Sequence, residues 1–139
     1  MNNYVVQEKL LKLKNYLEDL RSLKPATIDI YEQDRNLRYA VERVIQLIVD
    51  LALDINNILL AKNNKPPAAD YFNSFLDLAD CGVYELEFAL AIAPSTGLRN
   101  RLVHEYDKIN HRIVYKSIEK IIRSYTEYIQ KVGRYLEKN

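Results

Sequence analysis

Eight residues in the C-terminal third of the chain, RNRLVHEY at positions 99–106, bring together side chains that handle phosphate and protons. They include two arginines, Arg99 and Arg101, and His104, which is one of only 2 histidines in the chain. Arginine presents a rigid fork of donors that matches a phosphate, and histidine exchanges protons near neutral pH. The combination predicts chemistry on a phosphodiester, with His104 in acid–base catalysis and an arginine stabilising the charge of the transition state.

The spacing of these residues indicates how they share a site. On a helix that turns about 100° per residue, Asn100 and His104 lie on one face, and Arg101 is also a neighbour of His104. Asn100 and Arg101 are therefore predicted to support the reaction. Arg99 lies about 140° from His104 around the axis. One phosphate can contact both groups only if Arg99 reaches around the helix, or if a second copy of the chain supplies one of them. The second arrangement fits a composite site across a two-fold dimer.

RNA is the phosphodiester that suits this chemistry. A histidine base can deprotonate the 2′-hydroxyl, whose oxygen attacks the adjacent phosphorus and leaves a 2′,3′-cyclic phosphate and a 5′-hydroxyl. DNA lacks this internal nucleophile. No metal site and no cofactor are predicted, because His104 and His111 stand seven residues apart without a His-x3-His pair or a carboxylate cluster. No serine stands in a recognisable nucleophile turn.

The same residues also have structural interpretations that the sequence leaves open. A lone histidine at the end of a helix is often a cap or a partner of the helix dipole. The motif arginines are often solvated, or paired with an acid such as Glu105 or Glu85.

Four charged residues on the predicted second helix are ambiguous as well. Arg38 and Glu42 have the spacing of an exposed i, i+4 ion pair, and the alternative is that one of them lines the active cleft. Asp50 and Asp54 lie in a very apolar stretch. They are either exposed on a single polar stripe or face polar groups at a subunit contact.

Long helices must position these residues, because the chain has only 3 Gly and 4 Pro and shows no alternation typical of strands. Apolar residues at steps of three and four predict a first helix over 3–22, which ends before Pro25. The second begins near Thr27. Its apolar stripe over 47–60 is too broad for a surface helix, so we expect this segment at the centre of the core.

Three further helices complete the predicted fold. A third helix is expected to start at the N-cap Asp70 and to continue through Gly82, where a kink or close packing is expected. Ser95 or Thr96 is the expected N-cap of a short helix that carries the motif. Asn110 is the expected N-cap of a last helix.

The prediction is an all-α, up-down bundle of four main helices plus the short motif helix, forming a single domain over 1–139.

The net charge is +1, so any RNA contact must come from a local patch. The single Cys81 has no disulfide partner, in keeping with a reducing cytoplasm. The most apolar run, 44–61, is interrupted by polar residues, so it is not predicted to span a membrane. Charged residues near the N-terminus argue against a signal sequence.

The segment RNRLVHEY resembles the R-x4-H-x-Y motif of HepT-type toxins in the HEPN superfamily. Arg99 matches the motif arginine, His104 its histidine and Tyr106 its tyrosine. Asn100 matches the polar residue that usually follows the arginine. Three longer stretches extend the similarity over most of the chain: RYAVERVIQLIVDLALDI, PPAADYFNSFLDLADCGV and GLRNRLVHEYDKINHRIVY.

The resemblance implies an all-α homodimer in which the Arg99 and His104 of both protomers meet in a cleft at the interface. It implies a metal-independent ribonuclease, the toxin of a prokaryotic type VII toxin–antitoxin pair, with His104 in acid–base chemistry and Arg99 on the phosphate. It further implies a minimal nucleotidyltransferase antitoxin of the MntA kind, which transfers AMP from ATP onto Tyr106. The added bulk and negative charge would then block an RNA-binding cleft.

Two other functions stay open on the sequence alone. One is a non-catalytic helical dimer that uses the motif to bind a nucleotidyltransferase partner or a nucleotide. The other is a helical regulator that binds RNA without cutting it. An absence of cleavage by the purified chain, together with tight partner binding that depends on Tyr106, would favour the first of these.

Overall fold

The computed structural model describes residues 3–139, except for the side chain of Tyr106, and this part forms seven α-helices and one 3₁₀ turn. The helices are α1 (Tyr4–Leu23), α2 (Ile28–Gln33), α3 (Arg35–Lys62), α4 (Tyr71–Asp80), α5 (Leu86–Ile92), α6 (Ser95–His104) and α7 (His111–Lys138). The 3₁₀ turn is Tyr106–Lys108, between α6 and α7. No strand occurs among the described residues, and the all-α prediction is confirmed.

Helix α3 is the central helix, as its broad apolar stripe predicts. It packs against α1, α2, α4, α6 and α7. Its apolar residues with no exposed surface are Val41, Ile45, Ile48, Val49, Ala52 and Ile55. The helix is long and apolar enough to cross a membrane, but 56% of its most apolar window is buried inside the protein. Packing within the bundle therefore accounts for its apolar character.

The long helices run up and down the bundle. Asn3, at the start of α1, accepts a hydrogen bond from Lys62 Nζ at the end of α3 (3.1 Å) and donates to the carbonyl of Leu136 near the end of α7 (3.3 Å). At the other end of α1, Lys24 lies 3.1 Å from Glu119 in the first half of α7. Helix α1 is therefore antiparallel to both α3 and α7.

Two of the predicted helices are each divided in the structure. Asp34 is extended, and its carboxylate accepts a hydrogen bond from the backbone N–H of Leu37 (3.0 Å), so it ends α2 and caps α3. The predicted continuation of the third helix through Gly82 is wrong. Gly82 has φ +80°, a left-handed conformation that stops α4, and a new helix begins at Leu86.

Two of the three predicted N-caps are confirmed. The side chains of Asp70 and Asn110 each accept a hydrogen bond from the backbone N–H three residues on, at 2.7 and 3.2 Å. The expectation of a cap at Ser95 or Thr96 is wrong. Their hydroxyls donate backwards to carbonyls three residues earlier, because the preceding Pro94 is already in the right-handed helical conformation.

A buried hydrogen-bond network joins α3, α4 and α7. The hydroxyl of Tyr128 donates to Asn56 Oδ1 (2.6 Å), and Asn56 Nδ2 donates to Ser74 Oγ (3.0 Å). The hydroxyl of Ser74 donates to the backbone carbonyl of Tyr71 (2.7 Å). Asn56 and Tyr128 are completely buried, so their polar atoms depend on these partners. The network holds the start of α4 against the central helix.

Replacing Asn56 with alanine is expected to lower the free energy of unfolding by about 1–3 kcal/mol, because the hydroxyls of Tyr128 and Ser74 lose a partner in the core. Urea unfolding measures the change. The matched control is Asn57→Ala, at the exposed neighbouring position of α3, for which a change within about 0.5 kcal/mol is expected. Equal stability of the two variants would show that the network does not contribute.

Candidate active site

Helix α6 carries the motif and packs against α3 and α4. Leu98 and Leu102, four residues apart, are its buried apolar stripe. Its first residue is fixed by a hydrogen bond of 2.7 Å between the hydroxyls of Ser95 and the completely buried Tyr125. Burial raises the pKa of the Tyr125 hydroxyl well above its ordinary value, so this hydroxyl stays protonated. The helix that carries the motif is therefore anchored to the core at its start.

Arg99 is held by three neighbours. Its Nε donates to Asp50 Oδ1 on α3 (2.6 Å), and its Nη1 donates to Asn100 Oδ1 (3.3 Å). The guanidinium carbon lies 5.3 Å from the centre of the Tyr71 ring at the start of α4. The side chain of Arg99 is only 15% exposed. Its Nη2 has no acceptor among the described residues, so the guanidinium is oriented and still has donor capacity for a phosphate.

The two aspartates of α3 have separate roles. Asp50 forms an ion pair within the chain, an arrangement that neither sequence interpretation contained. Asp54 is 63% exposed and lies 3.9 Å from Lys9, so it belongs to a solvated stripe. Tyr71 was not predicted as a site residue at all. The sequence offered a signal for Asp50, because an acidic residue in a very apolar stretch is unusual. An aromatic residue at the start of a helix, such as Tyr71, is ordinary and offers none.

His104 is the last residue of α6, and its side chain is exposed. Within the described part of the chain, its ring forms no hydrogen bond and no ion pair. The interpretation of His104 as a side-chain cap is therefore not supported. His104 follows Arg99 by about 7.5 Å along the helix axis and about 140° around it, and no described contact joins the two side chains. The composite site across a dimer stays a prediction.

The other motif residues take different positions. Asn100 is half-buried and accepts from Arg99, so its described contact is to the arginine. Arg101 is exposed and lines the groove between α6 and α7, on the side of α6 away from Asp50. The backbone of Tyr106 lies in the 3₁₀ turn, but its side chain is outside the described residues.

Arg38 and Glu42 do not form the predicted exposed ion pair. The guanidinium of Arg38 donates to the backbone carbonyl of Glu32 at the end of α2. Glu42 is half-buried, and burial raises the pKa of its carboxyl, an effect that the charge of Arg38 opposes. Neither residue has a described contact with the motif side chains. The predicted alternative, that one of them lines the active cleft, stays a prediction.

Two further interpretations of the sequence are addressed by the structure. Glu85 lies 2.8 Å from Lys131 on α7, so it pairs with that lysine and not with a motif arginine. Across the residues whose placement is described, no group of three or more His, Cys, Asp or Glu side chains is arranged to hold a metal ion.

Comparison with known proteins gives four similarities. A family model described as ribonuclease HepT-like matches residues 13–132. The tRNA nuclease HepT of Aphanizomenon flos-aquae is 33% identical over 132 residues, which cover 95% of this chain and 90% of that protein. The structure of the tri-AMPylated Shewanella oneidensis HEPN toxin in complex with MNT antitoxin has a TM-score of 0.84 at 20% identity, covering 96% of this chain and 99% of that one.

A third relative is the cytosolic Bacillus subtilis protein YutE, with a TM-score of 0.78 at 19% identity over 95% of this chain and 91% of that one. At identities of 19–20%, the two solved structures establish a shared fold and nothing finer.

Proposed function

The chain belongs to the ribonuclease HepT-like family, and on that premise we propose that it is a metal-independent RNA endonuclease of the cytoplasm. The single observation that carries the proposal is on α6. Arg99 is fixed through its Nε by Asp50 while part of its guanidinium stays open, and His104 of the same helix is exposed without a partner among the described residues. These are the two groups that a metal-free cleavage of RNA requires.

The proposed reaction uses the substrate's own nucleophile. The imidazole of His104 takes the proton of a 2′-hydroxyl, and the oxygen attacks the adjacent phosphorus. Arg99 stabilises the negative charge that develops on the non-bridging oxygens. The bond to the 5′-oxygen breaks, and that oxygen takes up a proton. Water supplies this proton, and His104 releases the proton that it took to the solvent. In the proposed homodimer, the Arg99 and the His104 of one site come from different protomers. The products are a 2′,3′-cyclic phosphate and a 5′-hydroxyl.

Transfer RNA is the first substrate to test, since a relative that is 33% identical is named a tRNA nuclease. We expect the purified chain to cleave tRNA in the presence of EDTA and to leave single-stranded DNA of matched length intact. Gel electrophoresis of end-labelled substrates measures both. Cleavage that requires added Mg²⁺ would contradict the metal-independent mechanism. An absence of all cleavage would favour the non-catalytic dimer that binds a nucleotidyltransferase or a nucleotide.

We further propose that the chain is the toxin of a type VII toxin–antitoxin pair, neutralised by an MntA-like nucleotidyltransferase. The structural relative that is tri-AMPylated and bound to MNT antitoxin supports this role. The modified residue in this chain would be Tyr106, two residues beyond His104. An adenylyl group there adds bulk and a negative phosphate beside the proposed cleft, which would repel RNA.

The modification predicts a specific mass change. Incubation with the cognate nucleotidyltransferase, ATP and Mg²⁺ is expected to add one or more AMP groups to the wild-type chain and none to Tyr106→Phe. Intact-mass spectrometry measures the adduct. Tyr39→Phe, at an exposed tyrosine of α3, is the matched control and should be modified like the wild type. An adduct of the same size on Tyr106→Phe would place the modification elsewhere.

Asp50 is proposed as a positioning residue for Arg99. Asp50→Asn keeps the shape of the side chain but removes the charge that holds Arg99 Nε, so kcat for RNA cleavage is expected to fall by about 10–100-fold. The steady-state rate on tRNA measures the loss. Asp54→Asn, at the exposed position one turn further along α3, is the matched control and should cleave at the wild-type rate. Equal rates for both variants would remove Asp50 from the site.

A further inference from the structure

A groove lined by cations runs between α6 and α7. Two adjoining cavities of about 240 and 150 Å³ form it, and both are lined by Leu98 and Arg101. Leu98 is part of its apolar floor, while Lys108 and Lys120 flank Arg101 at either end. The groove is separate from the contacts of Arg99, because Arg99 and Arg101 point about 160° apart around the helix.

The charges of this groove are not compensated inside the chain. Arg101, Lys108 and Lys120 are all exposed, and none of them forms an ion pair with a described residue. Among the described residues that line the two cavities, Glu105 is the only acid. Three cations against one acid produce a local positive field in a chain whose net charge is only +1. The groove therefore suits a polyanion.

The groove is also close enough to His104 to bind an RNA strand that is cleaved there. His104 lies about 60° from Arg101 around α6 and lines neither cavity, so Arg101 lies between His104 and the groove. The wall on α7 extends from Ile113 to Ser124, about 16 Å of helix, which is enough for a few nucleotides. A strand whose scissile phosphate is at His104 thus passes directly to Arg101.

We propose that this groove binds the ribose–phosphate backbone of the RNA on one side of the scissile phosphate. Arg101, Lys108 and Lys120 contact phosphates there and do not touch the reacting atoms. The inference rests on the proposed ribonuclease function and identifies the substrate path that serves it. It assigns Arg101 to substrate positioning and not to support of the reaction itself.

The test measures RNA binding by the full-length chain in an inactive His104→Ala background. Fluorescence anisotropy follows a labelled single-stranded RNA over a series of NaCl concentrations. Adding Arg101→Ala, Lys108→Ala and Lys120→Ala is expected to weaken binding by about tenfold or more. The slope of log K against log salt should fall by about 2, because each phosphate contact on a single strand contributes about 0.7.

A matched control removes the same charges elsewhere. Lys14→Ala, Arg134→Ala and Lys138→Ala also delete one arginine and two lysines from exposed positions, and this variant should bind like its parent. In the catalytically competent background, the groove variant should raise KM more than it lowers kcat. Circular dichroism establishes that both triple variants are folded.

Three outcomes of the binding and sedimentation experiments would overturn the groove assignment. The first is an unchanged affinity and salt slope, and the second is an equal loss in both triple variants. The third is that the groove variant sediments as a monomer while its parent and the control variant sediment as dimers. This result would make the groove a subunit contact. The proposed ribonuclease function fails separately, if the wild-type chain cleaves no RNA. Normal cleavage with an unchanged KM in the groove variant contradicts only the groove.

Discussion

Replacing His104 with alanine is expected to lower kcat for RNA cleavage by about 10²–10⁴-fold, because the reaction loses the group that takes the proton from the 2′-hydroxyl. The imidazole is exposed and has no partner among the described residues, so its removal deletes no contact that holds the fold. Arg99→Ala is expected to lower kcat by about 10²–10³-fold, through loss of charge stabilisation in the transition state. Initial rates on labelled tRNA in EDTA measure both effects.

Each of these substitutions has a control in the same chain. His111→Ala removes the other histidine, which is half-buried at the start of α7, and should leave kcat close to the wild-type value. Arg43→Ala removes an exposed arginine of α3 and should do the same. Arg99→Lys keeps the charge beside Asp50 but loses the fork of donors, so it tests phosphate geometry in a folded site. Equal rates for His104→Ala and His111→Ala would remove His104 from the mechanism.

The second large effect is recovery of activity on mixing two inactive chains. An equal mixture of Arg99→Ala and His104→Ala is expected to reach about a quarter of the wild-type rate. With free exchange, about half of the dimers contain one chain of each kind, and each mixed dimer has one complete site when Arg99 and His104 come from different protomers. The basis is the helical geometry, which separates the two side chains by about 140°.

The mixing experiment distinguishes three arrangements. No recovery, although native mass spectrometry detects mixed dimers, would mean that each site is formed within one chain. A monomer in sedimentation at micromolar concentration would contradict a composite site altogether. The double variant Arg99→Ala and His104→Ala, mixed with either single variant, is the control and should stay inactive, because no complete site can form.

The sequence predicted helices well where the apolar spacing alone decides the structure. Helices α1, α3 and α7 follow their stripes, and the central place of α3 follows from the breadth of its stripe. The errors lie at Asp34 and Gly82, where the apolar pattern continues across a break in the backbone. At Asp34 a side-chain cap ends one helix and starts the next. At Gly82 a positive φ stops the helix, and periodicity carries no information about φ.

Only the part of the candidate site whose residues are close together in sequence was predicted. The motif helix could be found because its residues are close in sequence. The partner of Arg99 could not, since the ion pair with Asp50 joins positions 49 residues apart. The contact with Tyr71 likewise depends on how α4 packs against α3. The direction of Arg101 was available in principle from the helical turn, but the groove that it faces exists only when α7 packs beside α6.

The central claim is that Arg99 and His104 cut RNA through its 2′-hydroxyl, and the chemical ends of the fragments test it most directly. Mass spectrometry of RNA cleaved in EDTA identifies these ends. We expect 2′,3′-cyclic phosphates and 5′-hydroxyls from the wild-type chain, and about 10²-fold fewer fragments in the same time from Arg99→Ala or His104→Ala. Fragments with 3′-hydroxyls and 5′-phosphates, or the same cyclic ends at equal yield from His104→Ala, would contradict the claim.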